Sequence, residues 1–486
     1  MKIKSKLLFA IGKVFLATML TACSGQDDPP PPQDGALTGE AAAEKAAPVG
    51  RLDNTVVPTG YDIELTIDPS RATFSGDVSI DVQISEPTRS IWLHGKALDV
   101  SEDYVTDSES GRIEAAYEER LDSGVALVTL DQPVTGEAGL HFTYEAAFNT
   151  SANALFKVER DGRSYAVTQF EPIAARNVFP GFDEPAFKVP FDLALVTRAG
   201  DVAITTTPEA AVERLQDDMV RREFETTRPL PTYLIAFAVG PYDVVDYGKI
   251  PANSVRERQL PLRAIAARGQ GDKLDYALKN TDGILSVLEE YFGTPYPYRK
   301  LDLIAVPESF GGAMENVGAV TYDEYLILMD ENSPLSQRRS YTAVHAHELG
   351  HMWFGNLVTP EWWNDIWLNE AFATWIMNKA ADRYWPEGEF DRETLKGALG
   401  AMTNDSLAAA RQIREPVDHN DAIGDAFDGI TYQKGGGVLA MLERYVGEAG
   451  FQAGIRLHMD RHQDGTATAE DFIASVAEGS DRTEIE

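Results

Sequence analysis

Apolar residues in the first half of the chain recur at every second position. Tyr61, Ile63, Leu65 and Ile67 form one run, Val78, Ile80, Val82 and Ile84 a second, and Leu140, Phe142 and Tyr144 a third. Successive side chains of a strand point to opposite faces, so this period predicts half-buried antiparallel strands. With Leu193, Leu195 and the stretch Tyr233 to Val239, the pattern predicts a β-rich domain ending near Tyr247. Beyond it the period lengthens. Leu274, Leu278, Thr281, Leu285 and Leu288 recur at helical spacing, which predicts a helix around Asp272 to Phe292, stopped by T-P-Y-P-Y at Thr294 to Tyr298. A strand-like L-D-L-I-A-V-P follows, and further helical runs lie at Ala371 to Tyr384, Val438 to Tyr445 and Gly454 to Met459. The expected fold class is multidomain α+β, with a β-rich domain over 51–250 and an α/β domain over 251–486.

The ends of the chain read differently. Met1 to Cys23 carries Lys2, Lys4 and Lys6 and an apolar stretch broken once by Lys13, and it closes on L-T-A-C. That is an export signal whose apolar core is too short for a permanent membrane span. L-T-A-C looks like the lipobox of a bacterial lipoprotein, cleaved before a cysteine that becomes lipidated, and Cys23 is the only cysteine in the chain. Intramolecular disulfides are thereby excluded, and the core alone must hold the fold. Residues 24–50 contain D-D-P-P-P-P-Q-D and E-A-A-A-E-K-A-A-P, a composition suited to a flexible tether. The formal net charge of −34, from 43 basic and 77 acidic residues, argues against nucleic acid or an anionic membrane surface as partner.

The candidate chemistry centres on H-E-L-G-H, His347 to His351. Positions four apart on a helix lie nearly one above the other, about 6 Å along the axis, so two imidazoles can meet one cation. Glu348 sits one step round the helix, beside the metal, where it can take a proton from water. Eighteen residues separate His351 from Glu370, which begins the next helical run and offers a hard oxygen as third ligand. Three protein ligands plus water is the catalytic zinc arrangement; a structural zinc is closed by four, usually with thiolates. His345 points about 200° away from His347 and is expected to be packed or solvated. In a chain with eight histidines the pentad arises by composition alone in roughly one case in a hundred, so its surroundings decide.

Those surroundings are V-x-A-H-E-L-G-H-M-W-F-G-N-L-V-T-P, from Val344 to Pro360, and W-L-N-E, from Trp367 to Glu370. Together they resemble the gluzincin metallopeptidases of the aminopeptidase N type. The resemblance implies a thermolysin-like catalytic domain, one zinc per chain on His347, His351 and Glu370, and Glu348 as general base. Q-F-E-P at Gln169 to Pro172, with A-R-N-V-F-P-G-F-D-E-P after it, is similar to the family segment that reaches the active site. There Gln169 and Glu171 would bind the substrate's N-terminus. Where the family commonly reads T-D-A-R this chain has Ile173-Ala174-Ala175-Arg176, so the aspartate has no counterpart. G-A-M-E-N, comprising Gly312, Ala313, Met314, Glu315 and Asn316, resembles the family's exopeptidase signature. Its glycine lets backbone approach an extended peptide, and Glu315 can pair with a free α-ammonium. F-D-G-I-T-Y-Q-K-G, Phe427 to Gly435, matches the tyrosine motif, in which Tyr432 would hydrogen-bond the developing oxyanion.

The implied partners are peptides with a free N-terminus, and a membrane reached through lipid on Cys23 at the periplasmic side of the envelope. Two other readings differ in the motifs. An epoxide hydrolase of the same family typically carries G-G-M-E-N, whereas Ala313 stands here, and a non-enzymatic scaffold lacks zinc ligands. The chain stops at Glu486, about where the family's catalytic domain gives way to a large helical domain, so that domain is expected to be missing. For the lipid, Cys23→Ala should abolish metabolic labelling with a fatty acid, and labelling that persists in the variant would contradict the lipobox reading.

Overall fold

The alternating apolar runs become the middle of an eight-stranded sheet. In the computed structural model, which describes residues 46–108 and 110–485, its order is Glu209–Arg214, Met219–Phe224, Phe191–Arg198, Val56–Thr66, Thr73–His94, Val125–Ala147, Asp99–Asp107 and Gly111–Glu119. Register follows the pattern. Tyr61 faces Ile80, Ile63 faces Val78, and Val78 and Ile80 in turn face Phe142 and Leu140, so apolar residues meet across each pair on one buried face. A one-residue slip would turn that whole set to solvent.

A four-stranded sheet comes next, ordered Ala154–Arg160, Arg163–Gln169, Phe237–Gly240 and Val202–Thr205. The third sheet runs Tyr242–Ile250, Leu260–Ala267, Leu301–Val306, Ala319–Asp323 and Ala313–Met314. Leu301–Val306 is buried along its whole length and parallel to both neighbours, which is why L-D-L-I-A-V reads as a continuous apolar run. The chain passes to this sheet at Pro241, ahead of the division expected at residue 250. The strand Tyr242–Ile250 is mostly exposed, so its backbone pairing with Leu260–Ala267, and no apolar pattern, assigns it.

Helices Asp275–Phe292, Leu335–His351, Ile366–Tyr384, Glu393–Asp405, Gly435–Val446, Glu448–His462 and Ala469–Ser480 complete the second half. Gly293, at φ +71°, ends the first of them just before T-P-Y-P-Y. Aromatic pairs lock the central helices together: Phe292 stacks on Trp353 at 4.7 Å between ring centroids, and Phe354 on Phe372 at 4.1 Å. Polar staples join the two halves. Lys188 Nζ donates to the carbonyls of Asn356, Leu357 and Gly465 at 2.9, 3.0 and 3.1 Å, and Arg228 grips both oxygens of Asp464 at 2.9 and 2.6 Å. Among the described residues no helix is long and apolar enough to cross a membrane. Cys23 lies outside the described residues.

Candidate active site

Two helices set the centre of the site. Leu335–His351 carries His347, Glu348 and His351 in its last turns, and Ile366–Tyr384 carries Glu370 in its second turn, one turn further in than the apolar run from Ala371 suggested. They cross closely because Gly350 offers no side chain: a Cβ there would lie 2.9 Å from Ile376 Cγ2. The turn between them needs Gly355, at φ +130°, where a Cβ would run into the Asn369 amide at 2.3 Å.

This crossing brings three donor atoms into a triangle. His347 Nε2 and His351 Nε2 are 3.0 Å apart, and Glu370 Oε2 lies 3.3 Å from the first and 3.5 Å from the second. Donors about 2.0 to 2.1 Å from a tetrahedral zinc stand about 3.3 Å apart, so the triangle has the right size for that ion with its fourth position open. His351 Nδ1 is 3.2 Å from the Phe354 carbonyl and donates its proton there, so Nε2 is the nitrogen turned to the other two donors and would meet a metal once its own proton is displaced. Glu370 is 2% exposed, and its Oε2 accepts no hydrogen bond. His345, by contrast, is packed: Nδ1 meets the Tyr322 hydroxyl at 2.7 Å, Nε2 meets Thr281 Oγ1 at 3.0 Å, and burial pushes its pKa down to about 3.

Around the triangle lie further carboxylates. Oxygens of Glu171, Glu315 and Glu370 fall within 4.8 Å of one another. Glu171 Oε1, Glu315 Oε1 and Glu348 Oε2 are buried without a hydrogen-bond partner, as is Gln169 Oε1. Burial, and then the charge of Glu315, raise the carboxyls of Glu171 and Glu348 well above the usual range. Burial also raises Glu315, against the pull of His351 3.7 Å away. Burial raises the Glu370 carboxyl, but the imidazoles of His347 and His351, 3.3 and 3.5 Å away, outweigh it and hold it at about 2. Burial lowers the His351 pKa, but Glu315 and Glu370 outweigh it and lift the imidazole to about 10. Such a pocket favours cations.

Each remaining residue is placed by its own element. Gln169 ends its strand, and Glu171 follows in a loop with a cis bond to Pro172. Phe170, fully buried between them, packs edge-on against Phe179 and Phe237. The A-R-N-V-F-P-G-F-D-E-P stretch braces this loop. Arg176 and Asp183 form a buried ion pair at 2.8 Å, Arg176 also donates to the Ser123 carbonyl at 2.9 Å, and Thr232 donates to Asp183 at 2.5 Å. Ala174 is buried where the family's aspartate would stand.

Ala313 and Met314 form the outermost strand of the third sheet, opposite Tyr322 and Thr321. The Gly312 carbonyl accepts from Asp323 N–H at 2.8 Å, Asn356 donates to the Glu315 carbonyl at 2.7 Å, and Asn316 donates to Thr321 Oγ1 at 3.2 Å. Backbone pairing and amide contacts thus aim Glu315 at the triangle. Tyr432 sits on a turn of π-helix, Ile430–Lys434, with its ring stacked 6.2 Å from that of His347. Burial, and then Glu370, raise its phenol, which therefore remains a donor. One residue was missed. Tyr233, read only as part of an apolar run, is 1% exposed with an unpartnered hydroxyl, and Glu171, Glu315 and Glu370 all act on it. Its run looks like core because the polar tip of a tyrosine leaves no mark on apolar periodicity.

Both halves of the chain match families of known proteins. The Peptidase M1 N-terminal domain family matches residues 57–234, and the Peptidase family M1 domain matches residues 276–486. The chain is 33% identical to Aminopeptidase M1-A of Oryza sativa subsp. japonica over 452 residues, covering 91% of this chain and 50% of that protein. It is 34% identical to Glutamyl aminopeptidase of Bos taurus over 445 residues, covering 88% and 46%. It is 33% identical to Endoplasmic reticulum aminopeptidase 2 of Homo sapiens over 447 residues, covering 88% and 45%. The chain spans about half the length of these curated relatives. For the triangle the expected outcome is about one zinc per chain by metal analysis, lost on dialysis in His351→Ala and in Glu370→Ala. Zinc retained at full stoichiometry in both variants would place the metal elsewhere.

Proposed function

Because the chain belongs to peptidase family M1, we propose that it is a zinc-dependent aminopeptidase that removes the first residue from peptides with a free N-terminus. The observation that carries this reading is the pair Glu171 and Glu315, whose unpartnered oxygens lie beside the His347, His351 and Glu370 triangle. A desolvated carboxylate without a partner costs several kcal/mol, so two of them beside a metal centre make sense as a clamp for a cation. An α-ammonium has the right charge, and its three N–H donors suit both carboxylates and the Gln169 amide oxygen.

The steps divide among the chain's own residues. His347, His351 and Glu370 would hold zinc, which when bound would supply Lewis acidity towards the scissile carbonyl and the attacking water. Glu348 accepts a proton from that water and returns it to the nitrogen of the leaving amine. Tyr432 donates to the carbonyl oxygen as charge builds there, a contact commonly worth about 3 kcal/mol. The open edge of Ala313–Met314 receives the substrate backbone as a further strand. Glu171 and Glu315 then fix the register so that only the first peptide bond reaches the triangle. Support for placing this enzyme at the outer membrane, on the periplasmic side and anchored through lipid on Cys23, comes from L-T-A-C and the linker 24–50.

The test compares a free-amine peptide with its N-acetyl form, following products by mass spectrometry. Acetylation removes the cation and leaves both carboxylates desolvated and unpaired, so cleavage should fall by at least about a thousandfold. Equal cleavage of both peptides, or cuts at internal bonds, would contradict the aminopeptidase reading.

A further inference from the structure

The motif that supplies Tyr432 carries more than the tyrosine. A single π-turn is an uncommon conformation and is held by its surroundings. Here the amides are fastened by a residue two positions ahead of the turn. Asp428 Oδ1 accepts from the N–H groups of Ile430 and Thr431 at 2.8 and 3.2 Å, and the Asp428 carbonyl accepts from Tyr432 N–H at 3.1 Å. Yet the Asp428 side chain is 45% exposed, and an exposed carboxylate keeps one rotamer only if something holds it.

Arg411 does the holding. Its side chain is 16% exposed, and its Nε and Nη2 donate to the two oxygens of Asp428 at 3.2 and 2.5 Å. Nη2 also donates to Thr431 Oγ1 at 2.7 Å and to the Ala426 carbonyl at 3.2 Å, while Nη1 is engaged by the carbonyls of Gln412 and Ile413 at 3.1 and 3.2 Å. Thr431 Oγ1 closes the ring by donating to the Ala426 carbonyl at 2.5 Å. One planar guanidinium therefore ties the residue before Tyr432 to the segment that enters the turn. Lysine, with one compact ammonium, cannot span those acceptors.

We propose that Arg411, acting through Asp428 and Thr431, is the positioning residue that fixes the Tyr432 hydroxyl relative to the reacting carbonyl. The inference rests on the reading of Tyr432 as a donor to that carbonyl oxygen. A displacement of about 1 Å in such a group can cost on the order of a hundredfold in rate, whereas ground-state substrate binding need not change.

A double-mutant cycle tests it, using the zinc-loaded full chain, a free-amine aminoacyl amide and the parent, Arg411→Met, Tyr432→Phe and the double variant. Arg411→Met should lower kcat by at least about tenfold, with KM within about threefold and zinc content at the parental level. In the Tyr432→Phe background the same change should cost less than about threefold, since the hydroxyl it positions is gone. Arg411→Lys should recover only part of the parental kcat. Equal losses from Arg411→Met in both backgrounds would overturn the proposal while leaving the role of Tyr432 intact. Parental kcat in Tyr432→Phe would overturn the donor reading and the proposal with it. Should Arg411→Met fail to fold, Thr431→Val removes one arm of the clamp, and the same cycle decides on the same criteria.

Discussion

Four carboxylates, Glu171, Glu315, Glu348 and Glu370, share one pocket, and the cost of desolvating them constrains everything around it. Carboxylates that repel one another in a dry space either take up protons or recruit cations. The surroundings divide the four into different roles. Two imidazoles stabilise Glu370 as an anion, whereas burial and the charge of Glu315 raise Glu348, one of whose oxygens is unpartnered. Glu171 and Glu315 each keep one oxygen without a hydrogen-bond partner beside the triangle, where, under the proposed function, a substrate's α-ammonium would sit.

Holding such a cluster requires rigid supports on every side, and the chain supplies a different kind for each member. The metal triangle depends on close packing of two helices at Gly350 against Ile376. Glu315 depends on backbone pairing of a two-residue edge strand. Glu171 depends on a loop braced by the buried ion pair of Arg176 and Asp183. Tyr432 depends on a π-turn fastened through Asp428. Lys188 and Arg228 bridge the halves that carry these supports, so Glu171 and the His347, His351 and Glu370 triangle keep their spacing.

Period two made the strands at Tyr61–Ile67 and Val78–Ile84 legible, and helical spacing gave the helix ending at Phe292, because each buries one face. Residues His347, Glu348, His351, Glu370, Glu315 and Tyr432 were legible only as members of motifs. The crossing of the helices that unites them leaves no periodic trace. Helix Glu393–Asp405 escaped because it buries no residue, so it has no apolar stripe directed at the core. Helix Ala469–Ser480 did leave a sign, the capping box of Thr468 and Asp471 ahead of an apolar run. The Arg411 clamp could not be read at all, since a charge seventeen positions from its partner obeys no local rule.

Whether Glu171 and Glu315 receive an α-ammonium is read most directly by equilibrium binding, without the chemistry. Glu348→Gln removes the base while keeping the pocket's shape, so its zinc-loaded form can be titrated calorimetrically with an amino-acid amide and with the des-amino analogue of the same side chain. Binding should be at least about a hundredfold tighter for the amine, a difference that shrinks to within about fivefold once Glu315→Gln is added. Equal affinity for the two ligands before that change would contradict it.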